Sequence, residues 1–173
     1  MALAAFNLKR WIDEHRHLLK PPVGNKMVWQ DTEFQVMIVG GPNARKDYHI
    51  EDGEELFFQI EGDIVVKVIE DGTPRDIPVR EGEIFLLPAG IPHSPQRPAG
   101  TVGMVIERVR EEAETDHLRW FCEGCGVLLH EATFKLEDLG TQLKPVMESF
   151  WADAALRTCK RCGTVIEPPA PAP

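Results

Sequence analysis

Cysteine, tyrosine and long apolar runs are scarce in this chain, and the first and last of these scarcities each remove a class of protein. Of 173 residues, four are cysteine and one is tyrosine. All four cysteines fall in two pairs, Cys122-Glu-Gly-Cys125 and Cys159-Lys-Arg-Cys162, so the dispersed disulfide framework of a small secreted domain is excluded. No apolar run approaches the roughly 20 residues of a membrane-spanning helix. The stretch Ala2 to Phe6 is interrupted at once by Lys9 and Arg10 and does not read as a signal peptide. An excess of positive charge is also missing. The formal net charge is -9, with both signs interspersed, which argues against a nucleic-acid partner. The expectation is a cytoplasmic protein, away from membrane and nucleic acid, of one domain or one domain with a small appendage.

The cysteines that are present carry information. Each pair is followed by a glycine, Gly126 and Gly163, which suits the tight turn that points two thiolates at one ion. In a reducing compartment the four read as one tetrahedral site for zinc or iron, with two redox dithiols or disulfides, or unligated thiols, as the alternatives. The segment between the pairs exceeds zinc-ribbon spacing, so a folded insert is expected there, a helix. Pro145 can open that helix, with Val146, Met147, Phe150, Trp151 and Ala154 as its apolar face.

Along the rest of the chain the hydrophobic period changes. Residues 7–19 read as a helix capped by Asn7, with Leu8, Trp11, Ile12, His15, Leu18 and Leu19 at helical spacing and Pro21 and Pro22 ending it. The segment Lys20 to Asn25 reads as an irregular loop able to cover a cavity. From Met27 to about Val109 short apolar runs alternate with turn residues, including an Asp71-Gly72 hairpin signal. Many short strands without intervening helices predict an all-β-dominated sandwich or jelly-roll barrel. The charges from Glu111 to Asp116 read as a solvated connector. Four parts are expected: helix and lid loop (1–26), barrel (27–112), cysteine module (113–166) and a disordered proline-rich tail (167–173).

Six histidines occur. His15, His17, His117 and His130 lack a supporting pattern, whereas His49 and His93 have one. His49 is followed by Glu55 and Gly62; His93 closes the phrase Gly82, Pro88, Gly90, His93. Two imidazoles and a carboxylate delivered from β-rich segments make a two-His-one-carboxylate triad, which leaves positions open on non-haem Fe(II). Glu55 is preferred to Glu54 because it opens an apolar strand, and Glu51 and Asp52 read as solvated turn residues. Arg45, Arg97 and Glu107 are charges that a barrel interior would hold only for a purpose, and arginine suits bidentate capture of a carboxylate. A surface ion pair is the alternative for Arg97 and Glu107.

These two phrases resemble the paired motifs of the cupin superfamily, with one departure: the usual His-x-His is Asp47-Tyr48-His49 here, giving a His2Glu set. Over nearly the whole chain, RWIDEHRHLLKPPVGN, GGPNARKDYH, EELFFQIEG, FLLPAGIPHSPQRP, VIERVR and the two CxxC knuckles resemble the 3-hydroxyanthranilate 3,4-dioxygenase family in its bacterial form. The resemblance implies a cupin jelly-roll barrel with an N-terminal helix and a small rubredoxin-like C-terminal metal module. It implies His49, Glu55 and His93 as ligands of the catalytic Fe(II). Arg45, Arg97 and Glu107 become catalytic and substrate-binding groups, and Asn25 a substrate contact. Cys122, Cys125, Cys159 and Cys162 become a second, structural site for iron or zinc. The implied reaction is opening of the 3-hydroxyanthranilate ring by O2 to 2-amino-3-carboxymuconate semialdehyde, in a homodimer. The resemblance places it in the kynurenine pathway of tryptophan catabolism, with NAD biosynthesis or aromatic degradation left open as the purpose. Another metal-dependent cupin enzyme acting on a different phenol, or a non-catalytic small-molecule-binding cupin, are the rival readings.

Overall fold

The computed structural model describes residues 4–20, 24–29, 32–136 and 139–169, of which residues 139–141 are described by backbone alone. Helix α1 (Leu8–His15) starts where the Asn7 side chain accepts the Arg10 N–H at 2.9 Å. The helix expected through residue 19 stops at His15, whose ring Nδ1 lies 2.7 Å from the Trp11 carbonyl. A 3-10 turn (Arg16–Leu18) follows, the usual tightening of a helix end. Pro21 and Pro22 lie outside the described residues. Ile12 and Leu19 bury against Ile38 and Val102 on the outer side of the first sheet.

The strands are β1 (Asn25–Trp29), β2 (Phe34–Gly40), β3 (Asp47–Ile50), β4 (Glu55–Glu61), β5 (Ile64–Glu70), β6 (Thr73–Val79), β7 (Ile84–Leu87), β8 (His93–Gln96), β9 (Val102–Arg108), β10 (Asp116–Phe121) and β11 (Leu128–Phe134). They form a five-stranded sheet, β1-β2-β9-β4-β7, and a six-stranded sheet, β11-β10-β3-β8-β5-β6. Every pairing between these strands is antiparallel. The result is a jelly-roll-like sandwich whose two sheets face each other without closing into a barrel. Alternate residues from both sheets, among them Met37, Phe57, Val66, Val68 and Val105, fill the space between them. The β5–β6 hairpin turns at Asp71 and Gly72, both with positive φ (49° and 75°), as a two-residue turn matched to strand twist requires.

Three sequence expectations are corrected. Asn25 is the first residue of β1, paired with Val39, rather than part of a loop, because pairing is already set by the Gly40 N–H donating to the Gly24 carbonyl at 2.6 Å. The sheet does not stop at residue 112: β10 pairs with β3, so the first strands of the C-terminal module complete the six-stranded sheet. Helix α2 (Leu139–Ala152) begins ahead of Pro145, which sits inside it.

Phe150 of α2 stacks on Trp120 of β10 at 4.2 Å, and Leu118, Leu143 and Ile166 complete this second core. A short helix α3 (Ala154–Arg157), capped by Asp153, leads to the last knuckle. Of the tail expected to be disordered, Glu167 pairs with Arg157 at 3.3 Å; residues 170–173 lie outside the described part. Among the described residues no helix is long and apolar enough to cross a membrane.

Candidate active site

Each sheet contributes one directly opposed pair of side chains to the same end of the sandwich. In the six-stranded sheet His49 of β3 faces His93 of β8; in the five-stranded sheet Glu55 of β4 faces Glu107 of β9. His93 arrives after the Pro88–Pro92 turn, where Gly90 has a φ of 73° and its N–H bonds the Glu51 carbonyl. All four side chains are buried, as are Arg97 and Asp47. Glu54, the carboxylate beside Glu55, is exposed.

The three expected metal donors converge. Glu55 lies 3.3 Å from His93 Nε2 and 4.0 Å from His49 Nδ1, and one donor atom from each residue falls within 4.8 Å of the others. Two ligands bound at about 2.0–2.2 Å stand at most about 4.4 Å apart, so both measured separations suit a shared ion. His93 Nδ1 is 3.1 Å from the Ile91 carbonyl. A carbonyl only accepts, so Nδ1 carries a proton, and Nε2 is the ring nitrogen turned toward Glu55. His49 Nε2 lies 2.6 Å from Asp116 Oδ2, which leaves Nδ1 on the side of Glu55. The donor set therefore fits a ferrous ion, and two soft-to-intermediate nitrogens with one carboxylate are its usual protein ligands.

Electrostatics act differently on the three donors: burial would lower the His93 pKa, but the adjacent Glu55 carboxylate raises it. Burial lowers the His49 pKa, outweighing the Asp116 hydrogen bond that raises it. Burial would raise Glu55, but the adjacent His93 and His49 hold its carboxyl below the usual range. Burial pushes Glu107 up to about 7, with Glu55 opposite adding to the rise. Arg97 is lowered to about 10 by burial.

Around these groups lies a cavity of about 450 Å³ lined by Asn25, Arg45, Phe57, Arg97 and Glu107 and walled on one side by Leu143, Met147 and Trp151 of α2. Arg45 pairs with Asp47 and Arg97 donates to Gln59 Oε1 at 3.3 Å. Gly103 on β9 makes room for that pair: a Cβ there would sit 2.7 Å from both Arg97 Nη1 and Gln59 Oε1. Glu107 gives one oxygen to Arg110 at 2.7 Å, while its Oε2 is buried with no partner.

Two residues read as solvated are not. Glu51 is buried and pairs with Arg110 at 2.8 Å; the same arginine binds Asp116, which is fully buried. Glu51 follows directly after β3, two residues beyond His49, and Asp116 shares a strand face with Leu118 and Trp120. That alternation was the available signal. Asp52 is exposed as expected. Away from the site, His15 stacks on Trp11, His117 meets Thr133, and His130 lies beside Trp120 and Phe150.

The four cysteines meet at the other end of β10. Each knuckle repeats one backbone pattern: the Gly126 N–H donates to the Cys122 carbonyl at 2.8 Å and the Gly163 N–H to the Cys159 carbonyl at 2.9 Å. Sγ atoms of Cys122 and Cys162 are 3.5 Å apart, those of Cys125 and Cys159 3.6 Å. A tetrahedron with metal–sulfur bonds of about 2.3 Å has edges of about 3.8 Å, so the spacing suits one ion.

A family model described as 3-hydroxyanthranilic acid dioxygenase matches residues 1–151. The chain is 57% identical over 165 residues to the 3-hydroxyanthranilate 3,4-dioxygenase of Xanthomonas campestris pv. campestris, covering 95% of this chain and 93% of that one. Its identity to the enzyme of the same name from Ruegeria pomeroyi is 53% over 164 residues, covering 94% and 91%. Among solved structures, protein NMB1881 of Neisseria meningitidis aligns at 23% identity with a TM-score of 0.49, over 61% of this chain and 100% of that one. A cupin-2 domain protein from Shewanella frigidimarina aligns at 18% identity with a TM-score of 0.46, over 57% and 92%.

Proposed function

The chain belongs to the 3-hydroxyanthranilic acid dioxygenase family, and we infer from that membership that it opens the ring of 3-hydroxyanthranilate with O2, as a metal-dependent ring-cleaving dioxygenase. The observation that carries the reading is the convergence of His49, Glu55 and His93 on one point of a buried cavity. We assign these three as the ligands of a catalytic Fe(II), and the four cysteines as a structural site for iron or zinc. Bound there, a ferrous ion supplies Lewis acidity and an electron route between an aromatic hydroxyl and dioxygen.

The surrounding residues bind, orient and hold protons. Arg97 sits within the cavity as a buried cation, suited to the substrate carboxylate through a charge-assisted pair. The unpartnered Oε2 of Glu107 is the acceptor for a substrate hydroxyl or amine proton, and burial, which raises its carboxyl above the usual range, suits it to holding that proton. Arg45 adds positive charge where negative charge develops during ring opening. Asn25 supplies a neutral polar contact on the cavity wall. Leu143, Met147 and Trp151 of α2 give the ring an apolar side and exclude water. The product of this reading is 2-amino-3-carboxymuconate semialdehyde.

A cytoplasmic homodimer completes the reading. Ile84 and Leu86 stand exposed on β7, the edge of the five-stranded sheet, and offer an apolar strand for that association.

Adding 3-hydroxyanthranilate to Fe(II)-loaded protein in air tests the function. The expected result is O2 uptake with appearance of the ring-opened chromophore, and much weaker turnover of 2-aminophenol, which lacks the carboxylate that Arg97 would hold. Iron-loaded protein that consumes no O2 with the carboxylated substrate would overturn it.

A further inference from the structure

We propose that Asp116, held by Arg110, is a positioning residue for the metal centre: by accepting the Nε2–H of His49 it commits that imidazole to present Nδ1 to the metal, while His93 presents Nε2. The proposal rests on reading His49, Glu55 and His93 as metal ligands and adds a residue that lies outside the cavity lining.

The strand register creates the contact. Leu118 of β10 lies directly opposite His49, and Asp116, two residues along on the same face, is its diagonal neighbour, within reach of a long side chain. An ionised carboxylate only accepts hydrogen bonds, so the 2.6 Å contact fixes the proton on Nε2. A neutral imidazole has one proton, and Nδ1, the nitrogen facing Glu55, is left with its lone pair.

Asp116 cannot swing away from this task. It is fully buried, and Arg110 clamps both of its oxygens, through Nε to Oδ1 at 3.1 Å and through Nη2 to Oδ2 at 2.8 Å. The same guanidinium holds Glu51 at 2.8 Å and Glu107 Oε1 at 2.7 Å. One buried cation thus holds both the hydrogen-bond partner of His49 and one oxygen of Glu107. A residue serving only to neutralise Arg110 would have no need to place the shared oxygen on a ligand ring nitrogen.

The test uses Zn(II) as a diamagnetic substitute for iron, in protein labelled with 15N-histidine whose cysteine site already carries one equivalent. Long-range 1H–15N spectra of the second equivalent should show His49 with metal on Nδ1 and proton on Nε2, and His93 with the reverse. In Asp116→Asn the amide would set an N–H against Arg110 or against His49. The affinity for the second equivalent should then fall about 10- to 100-fold, with loss of the single His49 tautomer. Metal on Nε2 of His49, or an Asp116→Asn affinity within twofold of the parent, would overturn the proposal. Should that variant fold poorly, the parent spectrum decides alone. A His93→Ala control separates the two readings: undiminished binding of the second equivalent there removes the metal site itself, and the role of Asp116 with it.

Discussion

Arg97 illustrates how much a single side chain gives up when it is buried beside a cavity. Burial lowers its pKa to about 10, and the one hydrogen bond its guanidinium makes among the described residues goes to neutral Gln59. A buried cation so sparsely paired is poised for an anionic ligand. Arg97→Ala is expected to raise KM for 3-hydroxyanthranilate about 10- to 100-fold, for loss of a charge-assisted contact worth roughly 1.5–3 kcal/mol, and steady-state kinetics check this. Gly103→Ala should act on the same arginine from behind. The added methyl group would meet Arg97 Nη1 at 2.7 Å, so KM should rise severalfold while the iron content measured by metal analysis stays unchanged. At this scale the sequence was partly legible. His49, Glu55 and His93 stood out by spacing and turn punctuation, and the structure brings them together. Glu51 and Asp116 were hidden because carboxylates in a charge-rich stretch look solvated until a buried arginine, Arg110, is found between them.

The elements that matter most to the cavity are β10 and α2, and they are joined through aromatic stacking. Phe150 is almost fully buried against Trp120, and the turns of α2 on either side of it carry Leu143, Met147 and Trp151 to the cavity wall. Phe150→Ala should therefore cost about 3–5 kcal/mol of stability and also raise KM, since the wall loosens with the helix; thermal melting and kinetics on the same preparation check both. The strand elements were legible because turn residues such as Asp71-Gly72 fix hairpin register locally. The start of α2 was not. A proline normally marks the first turn of a helix, but here the buried Leu143, ahead of Pro145, carries the helix further back than local propensity suggests.

Seen whole, the molecule has two candidate metal sites strung on one strand. Asp116 opens β10 beside His49, and Cys122 follows directly after its last residue. The boundary expected at residue 112 was invisible as an error in the sequence, because pairing of β10 with β3 is a long-range contact that no local pattern encodes. Cys122→Ser should remove the cysteine-bound ion and cost roughly 3 kcal/mol or more, a fall in melting temperature of about 6–12 °C at about 2–4 °C per kcal/mol. The candidate His/Glu site should keep any iron it binds, because His49, Glu55 and His93 lie on β3, β4 and β8. Metal analysis together with calorimetry checks both halves; a variant that stays folded, keeps that iron and yet has no turnover would contradict a structural role for the cysteines.

The sulfur contacts of Cys122 with Cys162 and of Cys125 with Cys159 both run from one knuckle to the other. A sample stripped by a chelator and left in air would accordingly tend to cross-link across the module, tying the end of β10 to the stretch after α3 at two points. Such material would pass for intact in a melting curve until a reductant was added, so the order in which chelator, oxygen and reductant are introduced governs what a preparation of this protein contains.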